Sequence, residues 1–236
     1  MGDDLVGIGK IAEALEKATK ECRELMLRLL GPAADAAGER LADCINAARS
    51  KNFDRVVQEV LQQLEAIQTE PAPVELKILV PVLQYASLDN DDELVSKWAG
   101  LLASAAAGEQ VHPSYPRILA ELTPGEARLL NLTDEWNENI AAVASEKKDK
   151  LPGHSYPKDE LLKRTGLNGH LLLERTGLTM DVLPVTMFAL ETRHGLVHFY
   201  GQKWGPNLEE LWQMTLTPLG KDFVRVCRGP RAKVND

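Results

Sequence analysis

The chain has 236 residues, a mass of 26.0 kDa and a formal net charge of −8, from 27 basic and 35 acidic side chains. With 44% hydrophobic and 26% charged residues it has the composition of a globular protein, which excludes disorder along its whole length. Acidity is concentrated in residues 1–150, which carry 16 basic and 26 acidic side chains, whereas residues 151–236 carry 11 basic and 9 acidic side chains. An acidic surface repels polyanions, so the composition disfavours a wide nucleic-acid groove in the first part.

Cysteine usage indicates a reducing compartment. Cys22, Cys44 and Cys227 form no C-x-x-C pair, and an odd number offers no closed disulfide framework. We therefore expect a cytoplasmic protein. The first 30 residues are charged and amphipathic, unlike a signal peptide. The most apolar segment, residues 74–88, is interrupted by charges and a proline, so no transmembrane segment is expected.

Apolar residues recur at helical spacing through the first 150 residues. The first helix is predicted from Leu5 to Gly31-Pro32, since glycine suits a helix C-terminus and proline cannot continue the helix. Residues 33–48, which follow, carry small residues at helical spacing. The other helices are predicted over Phe53–Ile67, over residues 76–83, after Asp89-Asn90, after Ser114, after Thr123, and over Thr133–Ala144. The run 76–83 also fits a buried strand, and a helix is preferred because its leucines share one face.

Two of these helices begin with recognisable capping residues. Asp89-Asn90 predicts a cap, with Asp91–Glu93 in the first turn, where the helix dipole favours carboxylates. A divalent-metal site is the alternative interpretation of this acid run. Thr123-Pro124-Gly125-Glu126 matches a capping box with proline at the first helical position.

The polar stretch Ser145–Gly153 is predicted to be a linker between an acidic α-helical domain, residues 1–150, and a second domain, residues 151–236. The second domain shows helices, two strands around a turn-rich tip at residues 201–207, and a last helix. Short helices are predicted around residues 161–162 and 171–173, and another is predicted to start at Pro184. Two strands near residues 195–200 and 212–216 and a helix capped by Thr217-Pro218 follow. The predicted fold is therefore mainly α, a helical bundle followed by a winged-helix-like domain with a two-stranded wing.

No catalytic constellation is visible in the sequence. The five histidines are scattered, and the single metal-like spacing, His194-x3-His198, lacks accompanying cysteine or acidic ligands. Neither a phosphate-binding loop nor a nucleophile elbow occurs. We therefore expect a protein without enzymatic activity, bound metal or cofactor.

A winged-helix shape suggests DNA, but a groove-reading helix normally presents cationic or amide side chains. The segment in that place, Thr179–His194, has Arg193 as its one firmly cationic residue and also carries Asp181 and Glu191. Protein contact or a structural role is therefore preferred to DNA binding. The candidate nucleic-acid contacts are Lys163, Arg164, Arg175, Arg193 and Lys203.

Tryptophans and small residues supply candidate protein contacts. Trp98 and Trp136 lie on apolar helix faces typical of a core, whereas Trp204 lies at the predicted wing tip, where an exposed indole favours an interface. The small residues of Ala99–Ala107 suit close helix packing, within the core or between subunits. The candidate protein contacts are Trp98, Gly100, Ala103 and Trp204.

Several segments together carry a family resemblance: Leu30–Ala34 (LGPAA), Asp92–Ala105 (DELVSKWAGLLASA), Val111–Tyr115 (VHPSY), Leu119–Pro124 (LAELTP) and Leu216–Phe223 (LTPLGKDF). Over about residues 29–132 and 195–228 the chain resembles the abortive infection alpha (Abi-alpha) family. The most specific block is W-A-x-L-L-A-S-A, which begins at Trp98.

The resemblance implies a bacterial phage-defence protein and transfers no catalytic residues. We expect a non-enzymatic component of abortive infection that works through contacts with a protein partner or with a second copy of itself. A phage-derived trigger is compatible with this function. A winged-helix transcription regulator using residues 151–228 is the alternative, and an enzyme with a site built from scattered polar residues is the third candidate.

Overall fold

The computed structural model describes residues 19–31, 51–150, 169–200 and 213–231. These residues are mainly helical, with a small two-stranded antiparallel sheet near the C-terminal end, as predicted. The helices are α1 (Lys20–Leu30), α2 (Lys51–Ala66), α3 (Leu76–Tyr85), α4 (Asp92–Ala106), α5 (Tyr115–Glu121), α6 (Pro124–Lys150), α7 (Gly169–Thr176), α8 (Leu183–Phe188) and α9 (Pro218–Cys227). A π-helical turn (Ala189–Arg193) continues α8, and the strands are β1 (Val197–Tyr200) and β2 (Gln213–Leu216).

Contacts within the chain divide it into two compact units. Unit 1 comprises residues 1–122 and 225–236, and unit 2 comprises residues 123–224, so that the division falls within α9. This division differs from the predicted boundary after residue 150, which stays a prediction.

In unit 1, α2 packs along α4, α1 against α2, and α5 against α3 and α4. These helices form because their apolar residues recur at the helical period and can all face one core. Burying each large apolar side chain contributes roughly 1.5–3 kcal/mol. The fully buried residues at the centre of this core include Val56, Val57, Val60, Trp98, Leu101 and Leu102.

Local signals place the helix ends of unit 1. Gly31 ends α1 with a φ of 47°, and its backbone N–H donates to the carbonyl of Leu27. The prediction that residues 76–83 form a helix rather than a strand is confirmed; the helix continues to Tyr85, and Pro81 lies inside it. Between α2 and α3, Val74 N donates to the Leu29 carbonyl at 2.8 Å and so fixes the connection to α1.

The capping box that begins α6 is confirmed. Thr123 N donates to Glu126 Oε2 at 2.7 Å, and Glu126 N donates to Thr123 Oγ1 at 3.3 Å. The prediction of two helices over this region is wrong, because α6 runs without a break to Lys150. Thr133, predicted to start the second helix, is buried, and its Oγ1 donates to the Leu129 carbonyl at 2.7 Å. Residues 145–150, predicted as linker, are therefore helical.

In unit 2, α6 packs against α7, α8 and β2. The two strands are antiparallel, with Val197 opposite Leu216 and Tyr200 opposite Gln213. Thr217 then caps α9, its Oγ1 accepting from Gly220 N at 2.9 Å, which confirms the predicted start of the last helix. The predicted tip at residues 201–207 lies outside the described residues, and the winged-helix arrangement stays a prediction.

Candidate functional site

The surface of unit 2 carries an apolar face on α8. Val182, Val185 and Phe188 are 46%, 68% and 62% exposed. Their spacing of three residues places them on the same side of the helix. We call these three residues the α8 face.

The other side of α8 is also apolar, and it is packed. Leu183 and Met187 are buried there, as is Leu190 in the π turn. Both sides of this short helix are therefore apolar. An amphipathic surface helix carries polar residues on its exposed side, and α8 departs from that pattern. Exposed apolar residues that share one side of a helix make that side a candidate interaction surface.

Backbone hydrogen bonds hold α8 in place. The Thr179 carbonyl accepts from Val182 N at 3.1 Å and from Leu183 N at 2.9 Å, which begins the helix. Pro184 lies at the second position of α8. Its missing backbone N–H costs no hydrogen bond there, because the N–H groups of a helix's first turn have no partner within the helix. The predicted helix start at Pro184 is thus confirmed to within one residue.

The π turn that follows α8 links the helix to the sheet. His194 N donates to the Ala189 carbonyl at 3.1 Å, a bond that closes over one more residue than in an α-helix. Glu191 Oε1 accepts from Phe199 N in β1 at 2.9 Å. The carboxylate thereby satisfies a backbone donor of the strand and, through the π turn, ties the C-terminal end of α8 to β1.

Two of the five predicted nucleic-acid contacts lie among the described residues, and as contacts with DNA they stay a prediction. Arg175 Nη2 donates to Glu135 Oε2 at 3.1 Å, so a carboxylate neutralises it. Arg193 is exposed on the π turn. Three further candidates lie outside the described residues: Lys163, Arg164 and Lys203.

The predicted protein contacts on α4 lie inside unit 1. Trp98, Gly100 and Ala103 are all buried. The small residues of this helix pack against the chain's own C-terminal residues: Ser104 Oγ donates to the Val226 carbonyl at 3.0 Å, and a Cβ on Gly100 would lie 2.2 Å from the carbonyl oxygen of Cys227.

Of the two uses predicted for this small-residue face, the structure therefore shows packing within the chain. It stays a prediction that Trp98, Gly100 and Ala103 contact another protein. The fourth candidate, Trp204, lies outside the described residues.

The acid run before α4 acts as a helix cap. The cap is Asp91, whose Oδ1 accepts from Glu93 N at 3.0 Å, so the predicted cap at Asp89-Asn90 is wrong by one to two residues. Asp89 instead accepts a hydrogen bond from Trp98 Nε1 at 2.5 Å. Burial raises the pKa of the Asp89 carboxyl above its usual 3.8 and the Asp91 charge adds to this, whereas the hydrogen bond from Trp98 acts in the opposite direction.

This raised pKa predicts a pH effect that Asp89→Asn removes. Since the folded state binds this proton more tightly than the unfolded state does, the unfolding free energy falls as the pH rises from about 4 through the folded-state pKa, and the loss persists at neutral pH. Asparagine does not titrate and can still accept from Trp98. In urea denaturation at several pH values, we expect Asp89→Asn to lose less stability than wild type between acidic and neutral pH. The exposed Glu174→Gln is the control, and parallel profiles for Asp89→Asn and wild type would contradict the assignment.

Unit 1 contains a cleft of about 490 Å³, lined by α1, the end of α2 and the following loop. Four glutamates and Arg28 supply its charges, and Arg28 pairs with one of them, Glu70. The lining hydroxyl, Thr69 Oγ1, donates to the Ile67 carbonyl at 3.3 Å rather than to one of the carboxylates. Cys22 follows Glu21 of this lining in the sequence. Burial, and to a smaller extent the Asp54 charge, raise the pKa of its thiol to about 11. The cysteine therefore stays protonated and is a poor nucleophile at neutral pH.

Within the ranges described, no three or more histidine, cysteine or acidic side chains come together as a metal site. In the same ranges, no helix is both long enough and apolar enough to cross a membrane.

The α8 face was missed by reasoning from sequence. Val182, Val185 and Phe188 share helical spacing, which was the available signal. The same segment offers a second apolar stripe, Leu183, Met187 and Leu190, and spacing alone does not say which stripe faces the core.

Comparison with curated proteins and with solved structures finds no match for this chain. The family model of abortive infection alpha matches residues 48–227, well over half of the sequence. The match includes residues 133–194, which carried no resemblance by inspection, and it does not include Leu30–Ala34. The chain therefore belongs to the abortive infection alpha family.

Proposed function

We propose that this protein is a non-enzymatic component of abortive infection defence that acts in the cytoplasm through protein contacts made by the α8 face. Family membership connects the chain to abortive infection. The observation that carries the mechanism is the exposure of Val182, Val185 and Phe188 on a helix whose other side is buried and whose C-terminal end is tied to β1.

The side chains of the α8 face suit a protein partner better than DNA. Base edges are read by arginine, lysine, asparagine or glutamine, none of which occurs in Leu183–Phe188. Asp181, exposed one residue before the face, would repel phosphates. Within the described residues, the order α7, α8, β1, β2 and α9 supports a winged-helix regulator as the second candidate, but α8 is ill-suited to reading a groove.

Phe188 is the expected anchor of the contact. Aromatic side chains dominate the energetics of protein interfaces, and the loss of a central one costs about 2 kcal/mol or more of binding free energy. Val182 and Val185 add apolar area beside it.

The test is the double substitution Val185→Asp/Phe188→Asp. Both positions are mostly exposed, so we expect a change in folding stability of no more than about 0.5 kcal/mol each. Two carboxylates on the face would exclude an apolar partner. In cells challenged with a phage that wild type restricts, we expect plaque counts to return to those of cells without the gene.

Leu88→Ser is the matched control, because Leu88 is 75% exposed but belongs to unit 1. We expect it to protect like wild type at equal protein level. Protection by the double variant equal to that by wild type would rule out the α8 face as the functional contact. Salt-dependent retention on DNA that the double variant loses would favour the regulator instead.

A further inference from the structure

We propose that the partner of the α8 face is the same face of a second copy of this chain, packed antiparallel about a two-fold axis at Val185. This inference rests on the proposed function, because it names the occupant of the same surface. It also makes unit 2 the dimerising part of the protein.

The α8 face has the symmetry that such a pairing needs. Val182 and Phe188 lie three residues before and three residues after Val185. In an isologous contact the same patch meets itself, so that residue i contacts residue j and j contacts i. An axis at Val185 places the two copies of Val185 against each other and each Val182 against the second copy's Phe188. The larger phenyl ring thus meets the smaller valine on both sides of the axis.

Charges of opposite sign lie at the two ends of the face. Asp181, four residues before Val185, and Arg193, after it, are both exposed. Arg193 is eight residues from Val185, but the π turn uses one residue more than an α-helical turn. Arg193 therefore occupies the place of a residue seven positions after Val185, two turns along the same side of the helix.

Antiparallel pairing brings these charges together. It sets the Asp181 end of each helix against the Arg193 end of the other. With the axis at Val185, Arg193 lies about one helical turn, or about 5.4 Å, beyond the residue opposite Asp181. An arginine side chain spans that distance, as it does in ion pairs between successive turns of one helix. The face is therefore complementary to itself in both shape and charge.

Other classes of occupant fit this pattern less well. A membrane-surface helix carries lysine and arginine around its apolar residues, whereas the face is preceded here by an aspartate. The short helix also offers less than the roughly 800 Å² per partner of a standard interface. We therefore expect a reversible dimer whose population depends on protein concentration.

Charge reversal tests the pairing directly. Asp181→Arg places like charges at both ends of the contact, and so does Arg193→Asp, whereas the double variant restores opposite charges in exchanged positions. In sedimentation velocity over about a hundredfold range of concentration, we expect wild type to dimerise and each single variant to dimerise about tenfold more weakly. We expect the double variant, and an equimolar mixture of the two single variants, to recover dimer formation. Leu88→Ser is the control and should dimerise like wild type.

The outcomes separate this inference from the proposed function. A wild-type monomer at every concentration, or a dimer unaffected by either charge reversal, overturns the self-pairing. If protection is still lost in Val185→Asp/Phe188→Asp, the face serves another protein and the proposed function stands. Loss of the dimer with full protection overturns the proposed function and leaves the pairing. A monomer that binds phosphatidylcholine–phosphatidylglycerol vesicles through Phe188 would replace self-pairing with membrane docking.

Discussion

A single methyl group at residue 220 is expected to destabilise the protein by about 2–4 kcal/mol. Gly220 lies in the first turn of α9, and a Cβ there would lie 1.9 Å from the carbonyl oxygen of Leu196 and 2.9 Å from its carbon. Those atoms belong to the backbone and cannot move away as a flexible side chain would.

The backbone around Gly220 is held by several hydrogen bonds. Leu196 N donates to the Leu190 carbonyl at 3.0 Å, and the Leu196 carbonyl accepts from Thr217 N at 3.0 Å. Thr217 Oγ1 donates to the Gly195 carbonyl at 2.7 Å and accepts from Gly220 N at 2.9 Å. A shift that relieved the clash at Gly220→Ala would therefore lengthen or break these bonds.

The sign of the effect distinguishes packing from helix propensity. Replacing glycine by alanine inside a helix without a clash stabilises it by up to about 1 kcal/mol. We expect the clash to dominate, so that Gly220→Ala lowers the thermal unfolding midpoint measured by circular dichroism. Lys221→Ala, at the exposed neighbouring position, should leave it nearly unchanged. A midpoint at or above that of wild type would show that residues 195–196 yield to the methyl group.

Gly100→Ala is expected to have the second largest effect, about 2–4 kcal/mol of unfolding free energy. The added Cβ would lie 2.2 Å from the Cys227 oxygen and 2.8 Å from Gly229 N. The adjoining residues are held too: Val226 by a hydrogen bond from Ser104 of α4, and Arg225 by an ion pair with Glu109, just after α4.

The damage from Gly100→Ala should be local to these contacts. Amide hydrogen exchange should show faster exchange at residues 226–229 than in wild type, because their packing against α4 is lost. Ser96→Ala, on the exposed side of the same helix, is the control and should change neither exchange nor stability by more than about 0.5 kcal/mol. Unchanged protection of residues 226–229 in Gly100→Ala would contradict the close approach.

Features that depend on neighbouring residues could be predicted from the sequence. The capping box at Thr123, the cap at Thr217 and the end of α1 at Gly31 each use atoms within a few residues of one another. Helical periodicity was sufficient to place α2 and α4, since each buries a stripe against a core.

The local pattern predicts wrongly where burial in a core decides between two local alternatives, as it does at Thr133 and around Trp98. Thr133 resembles a helix start, but inside α6 its buried hydroxyl finds an acceptor one turn earlier, so the helix continues. Asp89 resembles a cap, but Trp98 takes its carboxylate, and Asp91 becomes the cap.

The candidate site shows the same limit. Whether Val185 or Met187 faces the core depends on how α6 packs against α8 and β1 against the π turn, and no local pattern contains that information. The π turn that ends at Arg193 also makes a tertiary contact that no local pattern contains, the bond from Phe199 to Glu191.

The packing of Val226, Cys227 and Gly229 against α4 has a consequence for folding during synthesis on the ribosome. Ser104 and Val226 are 122 positions apart, so the ribosome adds all of unit 2 between the two halves of this contact. The helices of unit 1 therefore emerge with the small-residue side of α4 uncovered until translation has passed Gly229. A nascent chain that stalls earlier exposes that side to other apolar segments. Unit 2, whose residues 123–224 are contiguous, can close its core before unit 1 does.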